Sequence, residues 1–311
     1  MRYTLFYAGF NDINGKEQIG IAQSEDFVNF AYVGKEPAIP LKSQGVFDEA
    51  QTSNPCVIKH NGIYKMWYQG KSADGLISIC YAESKDGLDW KVSKEPVLFP
   101  YENVSVGNYR EGFHQPHVIF DESRNIFKLW CTASRSEVTS ICYAESANGI
   151  VWNELVSTNI VGQDSKSKVW YPCVIKEGSV YKMWFTRRNS SKEWSVCYAI
   201  SSDGIAWKEK NLPVISPAQP RILAHIFEGV AKYFKINIEM PFYGIGSPFV
   251  WKEGGNYYLL GHEVGVRGKL YIPRYVSSDG IAWKKIKNNI LPPSFEEWNK
   301  FFQADPFLYV E

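Results

Sequence analysis

Residues 80–90 read Cys80-Tyr81-Ala82-Glu83-Ser84-Lys85-Asp86-Gly87-Leu88-Asp89-Trp90. A short apolar run, an Asp-Gly pair and a tryptophan together signal strand, turn and strand. Asp-Gly supplies the positive φ that tight hairpin turns need. The pattern returns. Cys142-Tyr143-Ala144 leads to Asn148-Gly149 and Trp152, Cys197-Tyr198-Ala199 leads to Asp203-Gly204 and Trp207, and Asp279-Gly280 precedes Trp283. A decayed copy, Glu25-Asp26-Phe27, lies near the N-terminus. The tryptophans mark a period of about 60 residues, which is the length of a four-stranded propeller blade and not of a helical solenoid repeat.

Two further motifs precede each turn. One is a proline followed by an apolar run: Asn54-Pro55-Cys56-Val57-Ile58, Gln115-Pro116-His117-Val118-Ile119, Tyr171-Pro172-Cys173-Val174-Ile175, Ser247-Pro248-Phe249-Val250-Trp251 and, at the chain end, Asp305-Pro306-Phe307-Leu308-Tyr309. The other is aromatic-rich: Tyr64-Lys65-Met66-Trp67-Tyr68, Phe127-Lys128-Leu129-Trp130, Tyr181-Lys182-Met183-Trp184-Phe185 and Tyr257-Tyr258-Leu259-Leu260. Turn residues such as His60-Asn61-Gly62 join the two motifs, so each repeat reads as strands A, B, C and D. The first repeat has strands B and C (Tyr3–Tyr7 and Ile19–Ser24) but no strand A. The expected fold is therefore all-β, a five-bladed β-propeller. Its ring closes by pairing the C-terminal inner strand, Asp305–Val310, with the N-terminal strands, which removes an open edge.

The whole chain, 1–311, reads as one such domain. It carries an insertion over 217–245, where apolar residues 222, 223, 226, 227, 230 and 234 predict a short helix within 220–234.

Composition excludes several classes. The chain has 311 residues, 45% hydrophobic and 22% charged, with formal net charge +1. That balance provides a large core and no basic footprint for nucleic acid. No apolar run is long enough to span a membrane, and the N-terminus has no apolar leader segment, so the expectation is a cytoplasmic chain without a membrane partner. The six cysteines recur at equivalent repeat positions and read as small buried packing residues. No CxxC or paired His spacing points to a metal, and no cofactor is expected.

Loop placement picks one face. Strand A begins there, and the B–C loops return to it, whereas the A–B turns on the other face are plain hairpins. The residues before the five prolines, Asn54, Gln115, Tyr171, Ser247 and Asp305, are expected to ring the central axis. The B–C loops add Asn11 and Asp12, Gln69 and Lys71, Thr132 and Arg135, Arg187 and Arg188, and His262 and Glu263.

Repeats of Tyr-Ala-x-Ser-x-Asp-Gly-x-x-Trp, with Lys-Met-Trp-Tyr strands and an inner Asp-Pro, resemble the five-bladed propeller glycosidases, families 43, 32 and 68 and the mannoside phosphorylase family 130. The resemblance implies an enzyme of glycosidic bonds, by hydrolysis or phosphorolysis, on a small-molecule or oligosaccharide substrate. A propeller that only binds a sugar and a protein-interaction propeller are the rivals. It also implies a base or nucleophile on an innermost strand, and Asp305 is the matching residue. The further inner carboxylates of families 32 and 43 are replaced here by Gln115 and Tyr171. The acid that protonates a leaving oxygen must then come from a loop, where Glu111, Glu263 or His114 are the candidates. Arg135 and Arg187, with Arg188 as a third candidate, are expected to converge on an anion, either an acidic sugar, sugar phosphate or nucleotide sugar or an attacking inorganic phosphate, and Trp170, Tyr171 and Tyr68 to stack on a sugar ring.

Buried thiols at equivalent depth on separate strands should not pair. Thiol titration of the denatured, unreduced chain is expected to return all six cysteines; four or fewer would refute it.

Overall fold

The computed structural model describes residues 1–10, 16–41, 47–100, 112–135, 138–162, 167–191, 193–217, 243–264, 270–287, 289–296, 298–300 and 302–311. Most of the 217–245 insertion, with its predicted helix, lies outside the described residues, as do Asn11, Asp12 and Glu111. Regular structure among the described residues is entirely strand, as the repeats predict.

The strands pair mainly as antiparallel meanders. The first holds β1 (Tyr3–Phe10), β2 (Glu17–Ser24) and β3 (Ala31–Tyr32). The second holds β4 (Gln51–His60), β5 (Ile63–Lys71), β6 (Ile77–Ser84) and β7 (Lys91–Val92). The third holds β8 (Gly112–Asp121), β9 (Ile126–Arg135), β10 (Val138–Ser146) and β11 (Val156–Val161). Next come β12 (Lys168–Glu177), β13 (Val180–Arg188), β14 (Glu193–Ser201) and β15 (Lys208–Glu209). The last holds β16 (Tyr243–Glu253), β17 (Asn256–Val264), β18 (Leu270–Tyr271), β19 (Arg274–Ser277) and β20 (Lys284–Lys287). A final strand, β21 (Phe302–Val310), pairs antiparallel with β1 as expected, Leu5 lying opposite Leu308 and Phe6 opposite Phe307. Short parallel contacts, Ile77 to Gly112 and Glu193–Trp194 to Tyr243–Gly244, join neighbouring meanders into two larger sheets.

Each Asp-Gly turn is held the same way. Ser201 Oγ donates to Asp203 Oδ1 at 2.8 Å, and the same carboxylate accepts from Ile205 N and Ala206 N at 2.8 Å each. The decayed first copy keeps this network through Asp26, with Phe27 taking the left-handed φ of 57° that glycine takes elsewhere. The buried B-strand tryptophans tie one meander to the next. Trp67, Trp130 and Trp184 donate through Nε1 to the carbonyls of Gly149, Gly204 and Gly280 at 2.7, 2.8 and 2.8 Å. Gly204 has φ +84°, and a Cβ there would meet the Trp130 ring at 2.9 Å. The turn therefore needs glycine for its backbone and for the indole packed on it.

The inner strands are linked edge to edge. Val118 N donates to Cys56 Sγ at 3.2 Å, Val250 N donates to Cys173 Sγ at 3.2 Å, and His117 Nε2 donates to Val174 O at 3.0 Å. All six cysteines are buried and free, and burial pushes the Cys56 and Cys173 thiols up to about 12.

Deleting Phe302–Glu311 strips β1 of one neighbour and removes a buried strand, a loss comparable to the roughly 5–15 kcal/mol that stabilises a domain. The truncated chain is expected to lose cooperative thermal unfolding. An unchanged melting temperature would contradict the importance of this pairing.

Candidate active site

All five residues before the inner prolines adopt left-handed backbone. Their φ values are 52° at Asn54, 51° at Gln115, 55° at Tyr171, 51° at Ser247 and 50° at Asp305. At each, the ladder slips so that two residues oppose one. Pairing jumps from Ser53 to Cys56, His114 to His117, Trp170 to Cys173 and Gly246 to Phe249, and between Phe307 and Ala304 on β21. These are β-bulges, which re-aim a side chain. A left-handed conformation costs a residue other than glycine about 1–3 kcal/mol, with Asn and Asp the most tolerant. All five residues and their prolines line one channel, as expected.

Asp305 is 6% exposed, and His262 Nδ1 donates to its Oδ1 at 3.0 Å. A carboxylate missed in the sequence reading lies beside it. Glu17 opens β2, is half-buried, and accepts from Gln51 Nε2. Burial, and then the negative charge of Asp305, hold its carboxyl well above the usual carboxylate range, at about 8; hydrogen bonds from Ser53 and Gln51 and the charge of Lys71 oppose the rise only in part. Glu17 therefore keeps its proton at neutral pH. A signal for it existed. Aligned through Ala22, Ala82, Ala144 and Ala199, which face equivalent B-strand positions, Glu17 falls where the other repeats carry Ile77, Thr139 and Trp194. It is the one ionisable residue in that row, but it precedes no proline.

An aromatic wall continues from this pair. The Tyr171 and His262 rings meet edge to face at 5.5 Å, Trp194 lies 5.9 Å from His262, and Trp170 stacks on Trp194 at 5.1 Å. Gly246 leaves room for it, since a Cβ there would come within 2.7 Å of Trp194 and 2.9 Å of His262. Burial, then the charges of Asp305 and Glu17, push the Tyr171 hydroxyl far up, so it stays a neutral hydrogen-bonding group.

The remaining candidates divide. Gln69 is buried beside Asn54, whose Nδ2 donates to its Oε1 at 3.5 Å. His114 lies 3.0 Å from Ser134 Oγ; burial and the charges of Lys71 and Lys168 lower it to about 4, so it is neutral and carries no proton to donate as an imidazolium. Glu263 is not brought to Asp305. It follows His262 on a strand, where side chains alternate between faces, and it is ion-paired with Lys285. Arg187 binds Glu209 at 2.7 Å; its expected convergence with Arg135 falls outside the described residues, which do not include the Arg135 side chain. Tyr68 is buried and donates to buried Asp48 at 2.7 Å. Among the described residues no cluster of His, Cys, Asp and Glu has the geometry to hold a metal ion.

No protein-family model matches the chain. Two curated relatives are uncharacterized proteins of Mycobacterium tuberculosis strains H37Rv and CDC 1551, each 27% identical over 185 residues. That match takes in 55% of this chain and 58% of theirs, so the chain spans little more than half the length of these relatives. Among solved structures, a thermostable family-43 glycoside hydrolase superposes with a TM-score of 0.65 at 18% identity, over 95% of this chain and 92% of its own. A second glycoside hydrolase gives 0.68 at 13%, over 93% and 90%. A protein described with the family 130 mannoside phosphorylases and their β-1,2-mannosidic hydrolases gives 0.63 at 14%, over 82% and 77%. At these identities the likeness is one of fold: the chain shares the all-β architecture of the glycoside hydrolases of families 43 and 130, without a match to one family in particular.

Proposed function

We propose that this chain is a single five-bladed β-propeller whose meanders are the blades and whose β21–β1 pairing closes the ring. On this reading it is an enzyme that cleaves a glycosidic bond at the mouth of the central channel. One observation carries the reading: a buried carboxylate, Asp305, oriented by His262, beside a carboxyl, Glu17, that keeps its proton partly because Asp305 is charged. A carboxyl that keeps its proton near a second carboxyl is what glycoside cleavage requires. Glu17 passes its proton to the departing glycosidic oxygen. Asp305 either takes a proton from the attacking water, inverting the anomeric carbon, or bonds to that carbon itself, in which case water later displaces it. Gln115, Tyr171, Asn54 and Ser247 hold the sugar over the channel. The fold of the neighbours supports a carbohydrate substrate; a propeller that only binds sugar would not need Glu17 protonated.

Asp305→Asn keeps size and hydrogen bonding but removes the charge. It is expected to lower turnover of aryl glycosides by about 10²–10⁴ while leaving sugar binding and melting temperature nearly unchanged. Full turnover in this variant would exclude Asp305 from the chemistry.

Glu17→Gln is expected to remove the alkaline limb of the pH–rate profile, which in the wild type falls as pH rises through about 8. The loss should be largest for substrates with poor leaving groups. Stability supplies an independent check. A carboxyl raised from about 4.3 when unfolded to about 8 when folded holds its proton more tightly in the native state. Wild-type stability then declines as pH rises across that interval. The melting temperature of Glu17→Gln relative to wild type should climb between pH 4.5 and 8 and level off above. Parallel pH curves for the two proteins would refute the raised carboxyl.

A further inference from the structure

Two cations face each other beside this site. Lys168 opens β12 and Arg188 ends β13, and the ladder sets them directly opposite one another. Directly opposed residues share one face of a sheet at close range, where like charges are destabilising. Both are half-buried, and neither has a carboxylate partner among the described residues. Arg188 Nε is moreover buried without a hydrogen-bond acceptor among the described residues. An unfavourable pairing kept beside a channel is the local inconsistency expected of a functional site.

The pair is joined to the carboxylates by the aromatic wall. The Arg188 guanidinium lies 5.6 Å, and Lys168 Nζ 6.0 Å, from the Trp170 ring. Trp194, on which Trp170 stacks, pairs directly with Arg188 across β13 and β14 and lies against His262, the partner of Asp305. Lys71, at the end of β5, adds positive charge whose field reaches Glu17 and His114. Sequence reading offered Arg135, Arg187 and Arg188 for the anion-binding role. Strand alternation turns Arg187 to the opposite face from Arg188, where Glu209 neutralises it.

We propose that Lys168 and Arg188 form an anion subsite beside Trp170 that receives a carboxylate or phosphate ester carried on the sugar of the substrate. This rests on the reading of Asp305 and Glu17 as a carbohydrate site and assigns its substrate class: acidic saccharides. The guanidinium fork matches either anion bidentately and the ammonium adds a point charge. The charge is assigned to the sugar because both cations lie over the Trp170 ring, which Trp194 joins to His262 and so to Asp305.

Tryptophan fluorescence titration of the full chain tests this without requiring turnover, so failure of the catalytic reading leaves the measurement intact. The probes are a panel of uronic acids and hexose phosphates, their neutral parent sugars, and inorganic phosphate. At least one acidic sugar should bind about tenfold or more tightly than its neutral parent, with affinity falling as salt rises. Arg188→Gln and Lys168→Gln should each weaken that sugar about tenfold, leave the neutral parent unaffected, and keep or raise the melting temperature by relieving repulsion. Lys208→Gln, on outer strand β15, should change nothing. Equal affinity for acidic and neutral sugars overturns the proposal. So does inorganic phosphate binding alongside a neutral sugar as tightly as the acidic sugar binds, which would make the anion a separate reactant. Loss of melting temperature in both variants would make the pair structural and would equally overturn it.

Discussion

Five left-handed residues, each followed by proline and each at a bulge, are the constraint on which the rest of this molecule depends. A regular strand would alternate its side chains and bury or expose these positions by turns. The bulge instead re-aims one residue per inner strand into a common channel. The cost in backbone strain is of the order of 1–3 kcal/mol per residue, and packing between the inner strands offsets it. The thiols of Cys56 and Cys173 and the imidazole of His117, each directly after its proline, bond the backbone of the next inner strand. The residue before the proline lines the pocket, and the residue after it ties the scaffold together.

The scaffold was largely legible in the sequence. Asp-Gly before tryptophan, Lys-Met-Trp-Tyr and the X-Pro motif each correspond to a physical device: a turn carboxylate accepting two backbone amides, an indole donating to the glycine of the next turn, and a bulge. Even the decayed first turn follows this logic. Phe27 replaces glycine where the last repeat offers Leu260, not a tryptophan, at the B-strand position of Trp67, Trp130 and Trp184, so no B-strand indole takes the place its side chain needs. Instead Phe27 packs against Tyr3 and Trp251.

The site was legible only in part. Asp305 and the polar ring follow from the proline motif, and His262 from its place after the aromatic run, although it lies within β17 and not in the loop expected. Glu17 did not, because it belongs to a strand edge where the neighbouring repeats place Ile, Thr or Trp, and because its protonation is a property of burial and of Asp305 rather than of local sequence. Glu263 and Arg187 were attractive on composition, yet strand alternation turns each away to a partner, Lys285 and Glu209. Residue type indicated the chemistry available, while register decided which residues reach the channel.

The central claim is that Glu17 and Asp305 act as one unit, the first kept neutral by burial and then by the charge of the second. The side-chain carboxyl ¹³C shift of Glu17, followed against pH in wild type and in Asp305→Asn, addresses it directly. The account predicts a titration well above the ordinary carboxylate value of about 4.3, moving downward when Asp305 loses its charge. A Glu17 carboxyl that titrates near that ordinary value, or that ignores the Asp305 substitution, would contradict it.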